Sequence, residues 1–280
     1  MINISNLLWR SKEMIFFFFK AKTIYKVHSP FLFRLVQRVL EQPLAYYEEE
    51  AIKVYQNQLS KTDQFIEKLD QGAGSSVKRN NKTTSVKHLA KISSASPFKG
   101  RMLFRLINEY QSSSILEFGT CLGIGTAYMA KANSTSKIIS IEACPNTLVL
   151  AKKTLDYLKI NQVELINATF GAYLDKLEPN QKFDFIYLDG HHAKEPTIEY
   201  FSKLLPHMDL TFCVVVVDDI YWSKGMNEAW KILVEDESFQ LSLDFFQFGV
   251  LIRNSALTTK EHYPLIQRKF KPWISGFFSN

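Results

Sequence analysis

Residues Ile115 to Thr126 read Ile-Leu-Glu-Phe-Gly-Thr-Cys-Leu-Gly-Ile-Gly-Thr, an apolar run that breaks into three glycines before a helix-like stretch at 127–131. This order predicts a strand, a tight loop and a helix start, where backbone N–H groups approach a polar ligand. The glycine spacing disfavours a nicotinamide cofactor. Either Cys121 or Tyr128 stands where a G-x-G-x-x-G fingerprint requires glycine, depending on where counting begins.

Helices and strands are predicted to alternate on both sides of this loop. The helices cover 98–110, 125–132, 146–159, 171–177, 195–205 and 226–236, and the strands between them cover 114–118, 137–142, 163–167, 183–188 and 212–217. Two further strands, 239–245 and 249–253, are close enough in sequence to form an antiparallel hairpin. The pattern predicts an α/β fold with a doubly wound, mostly parallel seven-stranded sheet that ends in this hairpin.

The first 96 residues are predicted to form an α-helical N-terminal extension. Apolar periodicity indicates helices over 7–26 and 30–40, with Ser29 as N-cap and Pro30 at the first helical position. A more polar helix follows over 48–69, and the nearly apolar-free segment 71–85 is predicted to be a mobile loop. The main domain then covers 97–256, and 257–280 forms a tail.

Charge is distributed unevenly along the 280 residues, of which 46% are hydrophobic, enough for a buried core. Residues 1–110 carry 18 Lys/Arg and 9 Asp/Glu (+9), and residues 111–280 carry 16 and 19 (−3), which together give the net charge of +6. A basic half suits an anionic substrate, a nucleic acid or a membrane surface. A solvated basic face is the commoner explanation.

Cysteine usage and hydropathy bear on the compartment. The three cysteines are widely spaced and form no CxxC pair, which indicates neither disulfides nor a zinc site and favours the cytoplasm. The apolar run at 14–19 is too short to span a membrane and no cleavage site follows it, so neither a signal peptide nor a transmembrane segment is predicted. The basic, Phe-rich segment 9–40 either lies on a membrane surface or packs on the main domain, and packing is favoured.

The glycine loop matches E-x-G-x-x-x-G-x-G-T, which resembles the first motif of class I S-adenosylmethionine (SAM)-dependent methyltransferases. In that family the loop wraps the methionine part of the cofactor. The resemblance implies a cofactor-binding set in this segment: Glu117, Gly119, Thr120, Gly123, Gly125 and Thr126. The alternative is an ordinary strand-to-helix turn in another α/β domain.

Polar residues at the ends of the next strands extend the predicted cofactor site. Glu142 ends the second strand, 23 residues after Gly119, where a carboxylate accepts both ribose hydroxyls of an adenosine. Many members of the family carry an acid after the third strand to bind adenine. This chain departs from that pattern, so adenine is assigned to Asn167, Ala168, Thr169 or backbone groups.

Three carboxylates, those of Asp189, Asp218 and Asp219, are predicted at the ends of strands four and five, on the same side of the sheet as the glycine loop. Hard oxygen donors of this kind suit Mg²⁺, Mn²⁺ or Ca²⁺. The arrangement resembles the divalent-metal-dependent O-methyltransferases of the catechol and caffeoyl-coenzyme A type. That resemblance implies that the three aspartates bind a metal, most plausibly Mg²⁺, and that Asp189 also lies on the cofactor side.

His192 falls three residues after Asp189, where such enzymes carry a catalytic base, and imidazole suits that duty near neutral pH. The alternative for His191 or His192 is a helix cap or a solvent-facing side chain, which is favoured for His191. A metal would ionise an acceptor hydroxyl and His192 would take its proton.

The leading hypothesis is therefore a SAM-dependent O-methyltransferase for a small hydroxylated molecule. One alternative is a metal-independent methyltransferase that acts on RNA or another anionic substrate, although the scattered basic residues form no nucleic-acid recognition motif. Another is a catalytically silent binding or scaffold protein that retains the fold. Residues 28–31, 70–75, 218–222, 228–230 and 244–249 also look like those of an uncharacterised bacterial group of class I methyltransferases. This likeness implies that the extension is a lid or a homodimer element.

Overall fold

The computed structural model describes residues 4–69 and 81–273. The N-terminal region contains three helices, a short hairpin and one further helical turn. They are α1 (Ile4–Lys20), α2 (Pro30–Leu35), α3 (Tyr47–Leu59), β1 (Phe65–Leu69), β2 (Asn81–Ser85) and α4 (Val86–His88). Two π-helical segments, Val36–Leu40 and Leu89–Ser93, continue α2 and α4. As predicted, the Ser29 side chain caps α2 and accepts a hydrogen bond from the N–H of Leu32.

The predicted helix boundaries in this region need correction. The helix predicted over 7–26 ends at Lys20 and is followed by a 3₁₀ turn, Ile24–Lys26. The helix predicted over 48–69 ends at Leu59, because 65–69 pairs with 81–85 as an antiparallel hairpin. Residues 81–85, predicted as part of a loop, are therefore a strand, and 71–80 lie outside the described residues.

The main domain alternates helices and strands as predicted. Its helices are α5 (Pro97–Tyr110), α6 (Ile124–Ala132), α7 (Pro145–Tyr157), α8 (Phe170–Leu174), α9 (Lys194–Leu204) and α10 (Lys224–Val234). Its strands are β3 (Ser114–Phe118), β4 (Lys137–Glu142), β5 (Val163–Asn167), β6 (Phe185–Leu188), β7 (Phe212–Asp218), β8 (Leu241–Asp244), β9 (Phe248–Asn254) and β10 (Glu261–Pro264).

These eight strands form one sheet in the order β10-β8-β9-β7-β6-β3-β4-β5. The strands from β3 to β7 pair in parallel, and β9 runs antiparallel to both β7 and β8, which forms the predicted hairpin. The sheet has one strand more than predicted. Within the predicted tail, β10 pairs in parallel with β8.

Both faces of the sheet are buried, as expected for a doubly wound fold. Along β7, Val214 and Val216 face the helices α5 and α6, while Val215 and Val217 face α9 and α10. Because parallel strands meet at the same edge, the residues that follow β3, β4, β6 and β7 come together at one side of the sheet.

The N-terminal region shares this core and is tied to it by a buried ion pair. Arg105 of α5 binds Glu49 of α3 through two hydrogen bonds, of 2.8 Å and 3.2 Å, and also donates to the carbonyl groups of Val39, Gln42 and Leu44. Lys22 forms backbone hydrogen bonds with Pro264, the last residue of β10, and with Ile266 just beyond it. No helix in the described ranges is long and apolar enough to cross a membrane.

Candidate active site

The glycine loop joins β3 to α6 at the carboxyl edge of the sheet. Gly119 has a φ of +104°, and a Cβ atom at this position would lie 1.8 Å from the backbone oxygen of Asp189. Gly123 precedes α6 with a φ of +74° and lies close to the backbone of Ala151. Both glycines are required by backbone conformation and by close approach, which is how such loops bring N–H groups to a ligand.

Glu117 lies beneath this loop and is 1% exposed. The hydroxyls of Thr126 on α6 and Ser140 on β4 each donate to its Oε2 atom at 2.5 Å. The Thr120 hydroxyl lies 2.6 Å from that of Ser140, and Gly125 places its backbone near the Glu117 carboxylate. Glu117 therefore holds the loop, the helix start and β4 together from below.

Glu142 ends β4 beside the loop. Its two carboxylate oxygens accept the backbone N–H groups of Cys121 and Cys144, each at 2.9 Å. Cys121 has a φ of 48°, a conformation that costs a non-glycine residue free energy, and Glu142 helps to hold it there. On β5, Asn167 donates its side-chain amide to the carbonyl groups of Glu142 and Ala143, so the ends of β4 and β5 form one connected rim with Ala168 next in the chain.

The three predicted acidic residues lie together at the ends of β6 and β7. The Tyr187 hydroxyl lies 2.9 Å from Asp189 Oδ2 and 3.2 Å from Asp218 Oδ2, and bridges the two carboxylates. The ammonium group of Lys99, from the first turn of α5, contacts the same Asp218 oxygen. The other Asp218 oxygen accepts the backbone N–H of Asp219 at 2.8 Å. Asp218 is 2% exposed and both of its oxygens are engaged.

The electrostatics of this cluster follow from burial and mutual repulsion. Burial and then the Asp218 carboxylate raise the pKa of Asp189 well above its ordinary value, and the same two causes raise the pKa of Asp219. Burial lowers the pKa of Lys99, but the three carboxylates raise it by more, so the pKa lies above its usual range. Lys99 is therefore a permanent positive charge among three acids.

His192 lies between two members of the cluster. Its Nε2 atom is 3.7 Å from Asp189 Oδ1 and its Nδ1 atom is 3.7 Å from Asp219 Oδ2. About a third of its side chain is open to solvent, so another molecule can reach the imidazole. His191 differs: its ring packs against Phe170, and its Nδ1 lies 3.1 Å from the Tyr200 hydroxyl. The structure thus shows neither the helix cap nor the solvent-facing side chain that was favoured for His191.

Comparison with known proteins matches the central part of the chain to a family model. Residues 116–220, which include the loop, Glu142, His192 and the three aspartates, match the model of a methyltransferase domain. This stretch resembles a class I SAM-dependent methyltransferase domain. Over 131 residues the chain is 30% identical to a catechol O-methyltransferase of Niastella koreensis, an alignment that covers 45% of this chain and 58% of that protein. The chain thus spans less than two thirds of that relative's length.

Two solved structures share the fold of the methyltransferase domain. An O-methyltransferase from Bacillus cereus in complex with SAH is 16% identical, with 78% of this chain and 94% of that chain covered and a TM-score of 0.52. The O-methyltransferase TomG from Streptomyces achromogenes in complex with SAM is 21% identical, with 57% and 81% covered and a TM-score of 0.50. At these identities the likeness shows the Rossmann-like methyltransferase fold alone.

Strained backbone concentrates at the carboxyl edge of the methyltransferase domain. His191, His192 and Asp219 all have positive φ values, of 60°, 38° and 54°. Such conformations cost non-glycine residues free energy and often mark functional sites. Here His192 and Asp219 belong to the acidic cluster, and His191 packs beside it on Phe170.

Sequence reasoning missed Lys99, Tyr187 and Ser140 in this site. Tyr187 had a usable signal, because it lies two residues before Asp189 and alternate strand residues point to the same face. Ser140 has the same relation to Glu142. Lys99 had no local signal, since it reaches Asp218 from a helix 119 residues earlier in the chain.

Stability should depend on pH through Glu117. Burial raises the pKa of Glu117 to about 7 from an ordinary value of 4.5, although the Ser140 and Thr126 hydroxyls lower it. The folded state thus favours the protonated acid, so this contribution to stability is complete below about pH 4.5 and is lost as pH rises through about 7. The loss amounts to about 3 kcal/mol.

The prediction is tested by denaturant unfolding of the wild type and Glu117→Gln at acidic and mildly alkaline pH. The wild type should lose more stability between the two than Glu117→Gln does, because glutamine does not ionise. Glu164→Gln, on exposed β5 surface, is the matched control and should behave like the wild type. Parallel pH profiles for the wild type and Glu117→Gln would contradict the assignment.

Proposed function

We propose that the chain is a SAM-dependent O-methyltransferase that acts on a small hydroxylated molecule. The main observation behind this proposal is that the candidate cofactor site and the acidic cluster lie at the same edge of the sheet. The glycine loop with Glu142 lies on one side, and His192 with its acidic cluster lies on the other, within a methyltransferase domain. The likeness to a catechol O-methyltransferase supports O-methylation, and the SAM and SAH in the two similar structures support the cofactor. The cytoplasm stays our prediction for the compartment, from the cysteine pattern.

The residues at the loop fit SAM. Gly119 lets the loop pack directly on the backbone of Asp189 at the end of β6. The Glu142 carboxylate has lone pairs beyond those that accept Cys121 and Cys144, enough for the ribose hydroxyls. Asn167 and Ala168 stay our candidates for the adenine, at the rim next to Glu142. When bound, SAM supplies an electrophilic methyl group.

The aspartate set fits a divalent ion poorly. Mg²⁺ needs near-octahedral oxygen coordination. Both Asp218 oxygens are already engaged, because Oδ2 contacts Lys99 and Tyr187 and Oδ1 accepts the backbone N–H of Asp219. The Lys99 ammonium already supplies the positive charge that three clustered carboxylates require. None of the described residues form a group of three or more His, Cys, Asp or Glu side chains arranged to hold a metal. Divalent-metal assistance stays a prediction from the resemblance, and this donor set does not favour it.

His192 is the group we assign to proton removal. A phenol or alcohol is a poor nucleophile until it loses its proton, and a side chain that accepts the proton lowers the barrier. The carboxylates of Asp189 and Asp219, each 3.7 Å from one ring nitrogen, would stabilise the positive charge that the imidazole gains. Lys99 keeps the cluster from becoming an uncompensated negative site that would repel the acceptor oxyanion.

The proposal is tested by transfer of a labelled methyl group from SAM to catechols, simple phenols and a cell extract, with and without a chelator. We expect transfer in the chelator, a loss of about tenfold or more in Lys99→Met, and partial recovery in Lys99→Arg, which keeps the charge. Lys87→Met, on an exposed helical turn, is the matched control. Transfer that stops in chelator and returns with Mg²⁺ would overturn the role of Lys99. Absence of transfer to any acceptor would overturn the function.

A further inference from the structure

One side of helix α1 packs on the main domain. Phe17 is buried against Phe246, with ring centroids 5.5 Å apart, and the Trp9 ring stacks at 6.4 Å from Tyr221. The Asn6 side chain donates a hydrogen bond of 2.9 Å to the carbonyl of Trp222. These contacts form the inward-facing apolar side that a surface helix normally packs on its domain.

The opposite side of α1, which we call the outer face, is also apolar. Its residues recur at spacings of three, four and seven, so they form one stripe along the helix, with Ser11 in its middle. Their exposed fractions run from 53% to 77%, and only Phe18, which lies among them, contacts another described segment, at Trp273. They are Ile4, Leu7, Leu8, Met14, Ile15 and Phe19. A contiguous apolar stripe of this kind on a folded protein marks an interaction surface.

The charges around the outer face are of one sign. Residues 4–26 contain five basic side chains and one acidic one. Arg10 and Lys12 border the stripe on its two sides, and Lys20 is exposed at the end of the helix, three residues from Phe17. The single acid, Glu13, lies four residues from both Trp9 and Phe17 and therefore on the packing side. An apolar stripe with basic borders is complementary to a surface that is apolar inside and negative at its edge.

We propose that the outer face of α1 docks the protein onto an anionic membrane surface, with the helix lying in the plane of the headgroups. A second copy of the chain fits less well, because two such faces would bring their basic borders together with no acid on either to compensate. Anionic lipid supplies both the apolar layer and the negative headgroups. The helix lies on the membrane and does not cross it.

Docking would place the site beside the membrane. The packing side of α1 touches Tyr221 and Trp222, which directly follow the acidic cluster at the end of β7. The guanidinium of Arg10 lies 5.1 Å from the centre of the Trp222 ring. The docking proposal rests on α1 alone and stands or falls independently of the proposed reaction.

Co-sedimentation with lipid vesicles tests the proposal on the full-length protein. Phosphatidylcholine vesicles are compared with vesicles that contain about one third phosphatidylglycerol. We expect binding to the anionic vesicles only, weakened by salt, and at least about tenfold weaker in Leu8→Ser/Ile15→Ser/Phe19→Ser and in Lys12→Gln/Lys20→Gln. All five positions are exposed, so the variants should melt at the wild-type temperature.

Leu44→Ser/Leu210→Ser is the matched control, because both leucines are strongly exposed and lie outside α1. It should bind anionic vesicles like the wild type. Equal loss of binding in the control, or no binding of the wild type to either vesicle, would overturn the proposal. A third result would also overturn it: the wild type binds no vesicles, sediments as a dimer, and becomes a monomer in the triple variant. That result would assign the outer face to a second copy of the chain.

Discussion

Replacement of Glu142 by alanine should weaken SAM binding about a hundredfold or more. The Glu142 carboxylate accepts the N–H groups of Cys121 and Cys144, so it fixes the strained loop to the end of β4, and its remaining lone pairs are the acceptors we propose for the ribose hydroxyls. Each charged hydrogen bond lost costs about 1.5–3 kcal/mol, and two such losses correspond to at least a hundredfold change in affinity.

Calorimetric titration with SAM measures this effect. Glu142→Gln keeps the side-chain shape and one carbonyl acceptor, and should fall between the wild type and Glu142→Ala. Glu164→Ala removes an acid from the neighbouring strand, away from the loop, and should bind like the wild type. Undiminished SAM affinity in a folded Glu142→Ala protein would show that the cofactor does not depend on this residue.

Replacement of His192 by alanine should lower the rate of methyl transfer by roughly 10²–10⁴, the usual contribution of a general base, and leave SAM affinity unchanged. The imidazole lies between Asp189 and Asp219, on what we propose to be the acceptor side of the site, and does not belong to the glycine loop. A loss in kcat with constant cofactor affinity therefore separates this role from a structural one.

His191→Phe is the neighbouring control for His192→Ala. Phenylalanine keeps the ring that packs on Phe170 and Tyr200 but removes the nitrogen atoms. We expect its rate to stay near that of the wild type. If His191→Phe lost as much activity as His192→Ala, or if His192→Ala kept full activity, the assignment of the base would be wrong.

The central fold was predictable because its signals are local. The glycine loop, the apolar strands and the alternating helices each appear within short stretches of sequence, and the ends of parallel strands must meet at one edge. That rule alone brought Glu142, Asp189 and Asp218 toward the same edge of the sheet, and the structure places them there.

The features that were missed depend on distant contacts. Strand β2 reads Asn-Lys-Thr-Thr-Ser and has little apolar pattern, so its sequence does not distinguish it from a loop. Its pairing with β1 is seen only in the structure. Strand β10 has four residues, one of them proline, and is defined only by its parallel pairing with β8. Lys99 reaches Asp218 across the fold. The sequence assigned the three aspartates to a metal, whereas in the structure the Lys99 ammonium supplies a positive charge beside them.

Helix α1 shows what hydrophobic periodicity does not predict, namely which face of a helix packs on the domain. A basic, aromatic segment is suited both to packing on a domain and to binding a membrane, and the sequence favoured packing. The structure shows that α1 has an apolar side for the domain and a second one beyond it, because its hydrophobic residues surround most of the helix. The hydrophobic pattern identifies such a helix but does not show which face packs on the domain and which stays exposed.

Titration of the wild-type protein with SAM, beside NAD⁺ as the competing dinucleotide, tests the central claim most directly. The loop lacks the glycine that a dinucleotide fingerprint requires and carries Glu142 at its rim, so SAM should bind with one molecule per chain and NAD⁺ should give no saturable heat. Saturable binding of NAD⁺, or no binding of SAM by a folded protein, would contradict the account.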